Sequence, residues 1–404
     1  MSTPTESGPD GVERIECPVC ETDVPGGAFC GLCGGHLKSS PGPGPHWLRQ
    51  DTFGAAPNES VLRPSIASTL FPHLPNRSRT PFRVGLALVF LGLVAFALLK
   101  LPAPLITVAA LGLPLLFLLY LSESDVFHDM SAVTLAAAGI LGAGFGVGWV
   151  LLTGEMVARA YGVPMAAGLA IRHVVREGVT IPAGGMILTL VPTVLVRLSR
   201  PKSRESLDGF VIGALAALTF AAGSTLTRLA PQFATGLLAR NRPIKGLLVE
   251  AGICGVTIPL TAAVAGGLVG VALWFKGQDA NPHEHPGRTR TALWSMAILV
   301  VLIHTGVAVA DIMGMPQMRV LVIHLVMTAV VLVLLRIALQ MALLHEAHDP
   351  IQEDEPLLCV HCEMVVPDMA FCPACGVATR ASSRSSRRDR RGSRPVRQAA
   401  AEGL

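Results

Sequence analysis

Residues 263–270 read AVAGGLVG, and they lie within an apolar run that covers about residues 250–275. A helix needs about 20 mostly apolar residues to cross the roughly 30 Å hydrocarbon core of a bilayer, and this run is long enough. Glycine and alanine on a spanning helix allow a neighbouring helix to approach closely. The stretch therefore predicts a membrane helix in the interior of a bundle.

Similar runs recur along the chain. Of the 404 residues, 51% are apolar and only 15% are charged, a composition too apolar for a soluble protein of this length. Dense small residues, as in GAGFGVG at 142–148, place the third, fifth and sixth runs in the bundle interior. The predicted fold class is an all-α polytopic membrane bundle with about eight transmembrane helices. The predicted spans are 83–99, 103–121, 131–153, 178–198, 208–230, 250–275, 291–313 and 319–344.

Eight of the nine cysteines form two copies of the spacing C-x2-C-x9-C-x2-C, one near each end of the chain. CPVCETDVPGGAFCGLCGG at 17–35 aligns without a gap with CVHCEMVVPDMAFCPACGV at 359–377. Four thiolates at this spacing suit a tetrahedral zinc ion with no open coordination position, as in short zinc ribbons. The predicted zinc ligands are Cys17, Cys20, Cys30 and Cys33 in the first ribbon and Cys359, Cys362, Cys372 and Cys375 in the second.

Each ribbon is expected to hold one structural zinc ion. A module of this length buries too little apolar surface to fold alone, so metal binding supplies its folding free energy. A disulfide framework is one alternative, but it would require an oxidising compartment, and no secretory signal peptide precedes Cys17. A redox dithiol is the other alternative.

Composition divides the chain into domains. The termini are polar, and the segment after the first ribbon is rich in Pro, Gly, Ser and Asn, which predicts disorder at both ends and a linker rather than a packed domain. The arginines of the C-terminal tail could bind anionic lipid headgroups or nucleic acid. The predicted units are a disordered 1–16, a ribbon at 17–37, a linker at 38–81, the membrane domain at 82–345, a ribbon at 356–378 and a disordered tail at 379–404.

An even number of spans places both ends of the chain on one side of the membrane. Ribbons with free thiolates belong in the reducing cytosol, so we expect both termini to be cytoplasmic, in the cell membrane. The basic residues of the loops support this orientation only weakly. The abundance of Arg, Ala, Gly and Pro indicates a bacterial source with a GC-rich genome.

Polar residues within the predicted spans are few, and such residues are functional candidates because they are costly in lipid. Glu250 begins the sixth span, His304 and Asp311 lie seven residues apart on one face of the seventh, and His324 lies in the eighth. A His/Asp face could hold a proton or a metal, or it could be a structural hydrogen bond between helices. These four residues are the candidate catalytic residues of the chain.

Three stretches of the membrane domain carry a family likeness, namely GLPLLFLLYLSESDVF at 112–127, IPAGGMILTLVPTVL at 181–195 and LDGFVIGALAALTFAAGST at 207–225. Together they resemble the PrsW family of intramembrane proteases. The resemblance implies a helical membrane scaffold and, in the family, a Glu-Glu-x-x-Lys motif and a Phe-Ala-x-x-Glu-Asn motif that activate water for peptide cleavage.

The sequence departs from the family pattern at the catalytic positions. Gly184 and Gly185 stand in place of the two glutamates, and Ser224 stands in place of the glutamate in the second motif. General-base hydrolysis needs an ionisable group within hydrogen-bond reach of water, and these residues lack one. We therefore favour a non-catalytic membrane protein that recognises a protein partner. An active intramembrane protease with unorthodox residues and a transporter remain the alternatives.

Overall fold

The structure of the protein is a computed structural model, and it contains both helical and small β elements. It describes residues 14–18, 21–32, 34, 36–37, 53, 55–56, 59–74, 76–124, 130–160, 180–199, 205–235, 242–277, 286–312, 315–346, 356–359 and 362–376. The helices are α1 (Ile66–Leu70), α2 (Asn76–Leu98), α3 (Pro102–Glu123), α4 (Ala132–Ala160), α5 (Ile181–Leu198), α6 (Ser206–Leu229), α7 (Ile244–Gly252), α8 (Ile258–Trp274), α9 (Pro286–Ile312) and α10 (Gln317–His345). The strands are β1 (Arg14–Glu16), β2 (Asp23–Pro25), β3 (Pro356–Leu358) and β4 (Val365–Pro367).

Within these described ranges, eight helical stretches are long and apolar enough to cross a membrane. A π-helical turn, Ile253–Thr257, joins α7 to α8, so Ile244–Trp274 forms one of the eight. By the length and composition of its helices the chain is a multi-pass membrane protein, which confirms the predicted fold class. The first span begins earlier than predicted, because α2 starts at Asn76.

Two spans form the centre of the bundle. In α6 and in the α7–α8 span, 83% of the most apolar window is buried, whereas the figure is 22% for α2, α4 and α9. The prediction that small residues mark the interior therefore holds for the fifth and sixth spans. The third span, α4, lies at the periphery and uses its small residues on one face only, against α6.

The contact between α6 and α8 is a contact of backbones. A Cβ atom added to Gly213 would overlap the carbonyl oxygen of Gly266, and one added to Gly270 would overlap that of Gly209. In each helix the two glycines are four residues apart and so share one face. Neither helix could approach the other this closely with any larger residue at these positions.

The helix α6 packs on α4 in the same way, at residues further along the helix. A Cβ atom on Gly142 would overlap the carbonyl oxygen of Ala216, and one on Gly146 would overlap that of Phe220. Gly223 of α6 in turn lies against the backbone of Ala143. The central helix α6 therefore contacts both α8 and α4 through glycines.

Both chain termini lead to one end of the bundle, which we call the termini face. It gathers the start of α2, where Ser78 donates a 2.7 Å hydrogen bond to Glu123 at the end of α3. The start of α6 joins it, since the backbone nitrogen of Ser206 donates to Glu346, directly after α10. The other end, which we call the opposite face, gathers the ends of α6 and α9 and the starts of α7 and α10. This arrangement follows from the even number of spans.

A buried arginine on α10 organises the termini face. Arg336 is fully buried, and its guanidinium donates to the carbonyl oxygen of Val61 at 3.1 Å and to Ser68 at 2.7 Å. It also pairs with Glu59 at 3.3 Å and lies 4.1 Å from the centre of the Phe53 ring. A buried guanidinium has five N–H donors to satisfy, and the segment before α2 supplies the acceptors.

The linker predicted at 38–81 is therefore packed where the structure describes it. Phe53 and Phe71 are buried in the main core, and Tyr120 of α3 donates a 2.9 Å hydrogen bond to the carbonyl oxygen of Pro72. The prediction relied on turn-forming composition and could not anticipate that Arg336 needs these partners. The ends at 1–13 and 377–404, with the arginine-rich tail, lie outside the described residues.

We expect Gly213→Leu to destabilise the bundle, because α6 and α8 would have to move apart to accommodate the side chain. Overpacking of this kind costs about 1–3 kcal/mol or more. The measurement is the free energy of unfolding of the purified protein in detergent micelles. Gly144→Leu is the matched control, since nothing lies within 4 Å of a Cβ atom at that position. Equal stability of the two variants would contradict the glycine contact.

Candidate metal centre and a polar cluster between membrane helices

The second ribbon is built from two tight turns beside the β3–β4 hairpin. Strand residue Leu358 pairs with Val365, which places Cys359 directly after the first strand. The backbone nitrogen of Glu363 donates to the carbonyl oxygen of Cys359 at 2.9 Å, and that of Gly376 donates to Cys372 at 2.8 Å. Gly376 has a φ of 72°, in the left-handed region that favours glycine. These turns bring the cysteine side chains of each C-x2-C pair together.

The four sulfur atoms of this ribbon lie within 4.8 Å of one another. The sulfurs of Cys359 and Cys375 are 3.7 Å apart, and those of Cys362 and Cys372 are 3.8 Å apart. Zinc–sulfur bonds of about 2.3 Å in a tetrahedron would separate the sulfurs by roughly 3.8 Å. The four residues therefore fit a structural zinc ion, which their spacing had predicted.

Protons compete with metal at this site. The pKa of the Cys372 thiol is raised, first by a hydrogen bond with Cys359 and then by burial. A raised pKa keeps the thiol protonated at neutral pH, whereas a zinc ligand must be a thiolate. Metal binding must therefore release protons.

The first ribbon repeats this backbone. Glu21 donates to the carbonyl oxygen of Cys17 at 2.9 Å, and Gly34 donates to Cys30 at 2.8 Å, as do the equivalent residues of the second ribbon. Cys17 and Cys30 are fully buried around Val24. Cys20 and Cys33 lie outside the described residues, so the first zinc site stays a prediction.

The two ribbons are paired with each other. The backbone nitrogen of Phe29 donates to the carbonyl oxygen of Pro373 at 2.9 Å, and that of Phe371 donates to Gly31 at 2.9 Å. In the aligned repeats Phe29 corresponds to Phe371, and Gly31 corresponds to Pro373. The two bonds are thus reciprocal, as in an isologous dimer related by a two-fold axis. We call this unit the ribbon pair.

The ribbon pair rests on the membrane bundle. Phe371 of the second ribbon is buried against Leu343, near the end of α10. Phe29 of the first ribbon instead contacts the ring of His36 and the backbone of Gly376 across the pair. The phenylalanine before the third cysteine therefore connects each ribbon to a neighbour, a contact that the repeat alone does not reveal.

A second group of polar residues lies between helices at the opposite face. The Nε2 atom of His324 on α10 lies 2.8 Å from Oδ1 of Asp311 on α9. Its Nδ1 atom lies 3.0 Å from the hydroxyl of Thr257, in the π-helical turn. One turn deeper, Nδ1 of His304 on α9 lies 2.9 Å from the hydroxyl of Thr261 on α8. We call these five residues the polar cluster.

Three members of the polar cluster were predicted from the sequence as candidate residues, and the two threonines were not. His304 and Asp311 share a face of α9, but their side chains have different hydrogen-bond partners. His304 bonds Thr261, and Asp311 bonds His324. Thr257 and Thr261 were missed because threonine is common in membrane helices. Their spacing of four residues, which places both on one face of an apolar helix, is the signal that could have identified them.

Glu250, the fourth candidate residue, has other partners. Its carboxylate forms an ion pair with Arg242 at 2.5 Å and accepts a hydrogen bond from Gln232 at 3.3 Å. These residues also lie at the opposite face, beside the start of α7. The structure therefore joins Asp311 to His324 and gives Glu250 a separate ion pair.

Gly184 and Gly185, two of the positions at which the predicted PrsW likeness would place glutamates, lie against Trp149 of α4. A Cβ atom added to Gly184 would be 2.6 Å from the Trp149 ring, and one added to Gly185 would be 2.9 Å from its indole nitrogen. The hydroxyl of Ser224 donates to the carbonyl oxygen of Ala221 at 3.0 Å. The indole of Trp149 thus occupies space that larger side chains at 184 and 185 would need.

Purified protein is expected to contain about two zinc ions per chain, one in each ribbon. Cys375→Ser should lower the content to about one, because a structural site does not hold zinc tightly with three thiolates. The measurement is elemental analysis of untagged protein. Cys254→Ser is the matched control, since Cys254 lies in the π-helical turn and should leave the zinc content unchanged. Zinc-free wild-type protein would contradict both sites.

Zinc affinity is expected to fall as the pH is lowered. Since the pKa of Cys372 is raised, zinc must displace its proton, and each displaced proton weakens the apparent affinity by about tenfold per pH unit. Competition with a chromophoric chelator at several pH values measures this slope. A flat profile across neutral pH would mean that the thiols are already ionised without metal.

No family model, no curated protein and no solved structure matches this chain. The likeness to the PrsW family therefore stays a prediction from the residues quoted above.

Proposed function

We propose that this multi-pass membrane protein is a non-catalytic scaffold whose ribbon pair binds a protein partner at the cytosolic side of the cell membrane. The observation that carries the proposal is the reciprocal pairing of the ribbons through Phe29 and Phe371. A pairing of this kind makes one folded unit from the two ends of the chain. The contact of Phe371 with Leu343 holds that unit against α10.

Zinc has a structural role in this proposal. A site with four cysteine ligands has no open coordination position at which a substrate or water could bind. Because metal binding folds a ribbon, the surface of the ribbon pair would exist only in the zinc-loaded protein. Recognition by the pair is then conditional on zinc.

The surface of the second ribbon suits a protein partner. Met364 and Val365, at the start of β4, are 51% and 49% exposed, although they lie outside the membrane spans. Adjacent exposed apolar side chains on a water-facing domain are typical of a protein contact. The corresponding residues of the first ribbon, Thr22 and Asp23, are polar, so we assign the contact to the second ribbon.

The contacts of the candidate catalytic residues favour a non-catalytic role. Glu250 is neutralised by Arg242, and the hydroxyl of Thr257 beside His324 is fully buried. Trp149 packs over Gly184 and Gly185, where the resembling family has its glutamates. General-base catalysis needs an ionisable group beside a bound water or substrate, and these contacts favour structural pairing instead.

The proposed orientation rests on the ribbons. Eight spans return the chain to its starting side, and zinc thiolates persist in a reducing compartment. With the ribbon pair in the cytosol, the polar cluster faces the outside of the cell. The partner is then a cytosolic protein or the cytosolic part of a membrane protein.

We expect a photoreactive phenylalanine analogue at position 364 to form a discrete protein adduct in cells. The same adduct should be lost when Cys375→Ser removes a zinc ligand, because the surface around Met364 would no longer fold. Mass spectrometry identifies the adduct, and purification through a tag on the identified protein must recover this chain in return.

The matched control places the photoreactive residue at Leu302, which is 62% exposed on membrane helix α9. That position should not give the adduct seen at 364. An adduct at 364 that survives Cys375→Ser, or the absence of any adduct while the protein accumulates normally in the membrane, would contradict the proposal.

A further inference from the structure

The polar cluster at the opposite face has no part in the function proposed for the ribbons. Asp311 is its most exposed member, with 34% of the side chain exposed, whereas His324 is 4% exposed and Thr257 is fully buried. Ionisable side chains within a membrane bundle are costly and are retained for a reason. The cluster also joins three spans, because its members come from α9, α10 and the α7–α8 span.

The hydrogen-bond donors and acceptors around the ring of His324 allow it two protonation states. A carboxylate only accepts hydrogen bonds, so Nε2 of His324 donates to ionised Asp311. The Thr257 hydroxyl has one hydrogen and two acceptors in reach, the carbonyl oxygen of Ile253 at 3.2 Å and Nδ1 of His324 at 3.0 Å. If it donates to Ile253, Nδ1 must donate to it, and His324 is an imidazolium. If it donates to Nδ1, His324 is neutral.

Both states leave every polar group of the pair satisfied. The switch between them needs only a rotation of the Thr257 hydroxyl, since its oxygen can accept from Nδ1 or its hydrogen can point at Nδ1. A buried site that could satisfy only one state would pay the cost of an orphaned donor or acceptor. The geometry therefore suits reversible binding of a proton.

The same arrangement recurs one turn deeper. The Thr261 hydroxyl lies 2.9 Å from the carbonyl oxygen of Thr257 and 2.9 Å from Nδ1 of His304. It can donate to either, so His304 also has a hydroxyl that adapts to its protonation state. The carboxylate of Asp311 bonds His324 and not His304, so His324 is the residue of the cluster that can hold the proton as an imidazolium.

The π-helical turn at Ile253–Thr257 places the two threonines at this interface. Single π-helical turns within α-helices frequently mark functional sites. Here the turn ends at Thr257, directly before the start of α8, and so sets the direction in which both hydroxyls point.

Of the charged side chains near the cluster, Asp311 is the one that bonds His324, and the nearby arginines have other partners. Arg242 is paired with Glu250 at the start of α7, and Arg228 of α6 donates to the sulfur of Cys254 in the π-helical turn. The contacts of α2 and α3 with this turn are apolar, through Leu93 and Ala109 at Gly255. Among the described residues, the second ribbon alone brings three or more metal-ligating groups together, so the cluster does not have the geometry of a metal site.

From these contacts we infer that the polar cluster is a protonation site that binds one exchangeable proton from the water at the opposite face. Nε2 of neutral His324 already carries the hydrogen that it donates to ionised Asp311, so the incoming proton forms its N–H bond at Nδ1, where the Thr257 hydroxyl turns to accept it. The carboxylate of Asp311 stabilises the resulting imidazolium. Protonation converts the hydrogen bond from neutral His324 to ionised Asp311 into an ion pair between α9 and α10, with a charge on both partners. The ligand is the proton alone, and the bond that forms is an N–H bond on the imidazole.

The test is nitrogen NMR of the full chain, labelled with 15N-histidine and held in lipid nanodiscs, at about pH 5 and about pH 8, on either side of the ordinary histidine range. The signals of His324 are assigned by their loss in His324→Gln. We expect imidazolium shifts at the lower pH and neutral shifts at the higher pH. In Asp311→Asn we expect the neutral form at both, because the amide cannot stabilise the charge.

Two controls separate a proton site from a general loss of structure. Thr257→Val should also abolish the imidazolium form, whereas Thr189→Val should not, because the Thr189 hydroxyl donates to the carbonyl oxygen of Gly185 in its own helix, away from the cluster. The signal of His345, at the far end of α10, should be unchanged in every variant. A His324 that stays neutral at the lower pH in the wild type, or that is protonated equally in Asp311→Asn, overturns the inference.

Discussion

The backbone contact between α6 and α8 is the constraint on which the rest of the bundle depends. Gly209 and Gly213 meet Gly266 and Gly270 so closely that a single added carbon would overlap a carbonyl oxygen. Lipid chains are as apolar as leucine, so helices in a bilayer associate through close packing rather than through removal of apolar surface from water. The same helix α6 packs closely on α4 through Gly142 and Gly146, and the α7–α8 span presents its π-helical turn and both threonines to α9 and α10.

The two ends of this bundle are chemically different, and buried polar groups account for the difference. At the termini face, Arg336 and Glu346 hold the segment before α2 and the start of α6, so polar side chains there have backbone partners. At the opposite face, His324 and Asp311 have side-chain partners that can gain or lose a proton. The arrangement at the termini face is rigid because the guanidinium of Arg336 keeps its charge. The arrangement at the opposite face has two hydrogen-bonded states, one for each protonation state of His324.

The ribbon pair adds a further connection between distant parts of the chain. Residues near both termini exchange reciprocal hydrogen bonds, and Phe371 attaches the pair to α10. A zinc ion bound at the second ribbon would therefore influence more than one short module, because the first ribbon packs on the second. The zinc-dependent recognition that we propose uses this coupling, and the protonation site at the other end of the bundle is independent of it.

The number of spans, the glycine-rich interior formed by the fifth and sixth of them, and the cysteine cluster of the second ribbon could be determined from the sequence by itself, because each depends on spacing along the chain. Helix length, a four-residue glycine period and the C-x2-C turn are local properties, which hold wherever the segment lies. Only the tertiary structure decided that the ribbons pair through Phe29 and Phe371, that Thr257 and Thr261 complete the His/Asp contacts, and that Arg336 folds the predicted linker onto the bundle. These contacts join residues far apart in sequence, and no local period encodes which helix faces which.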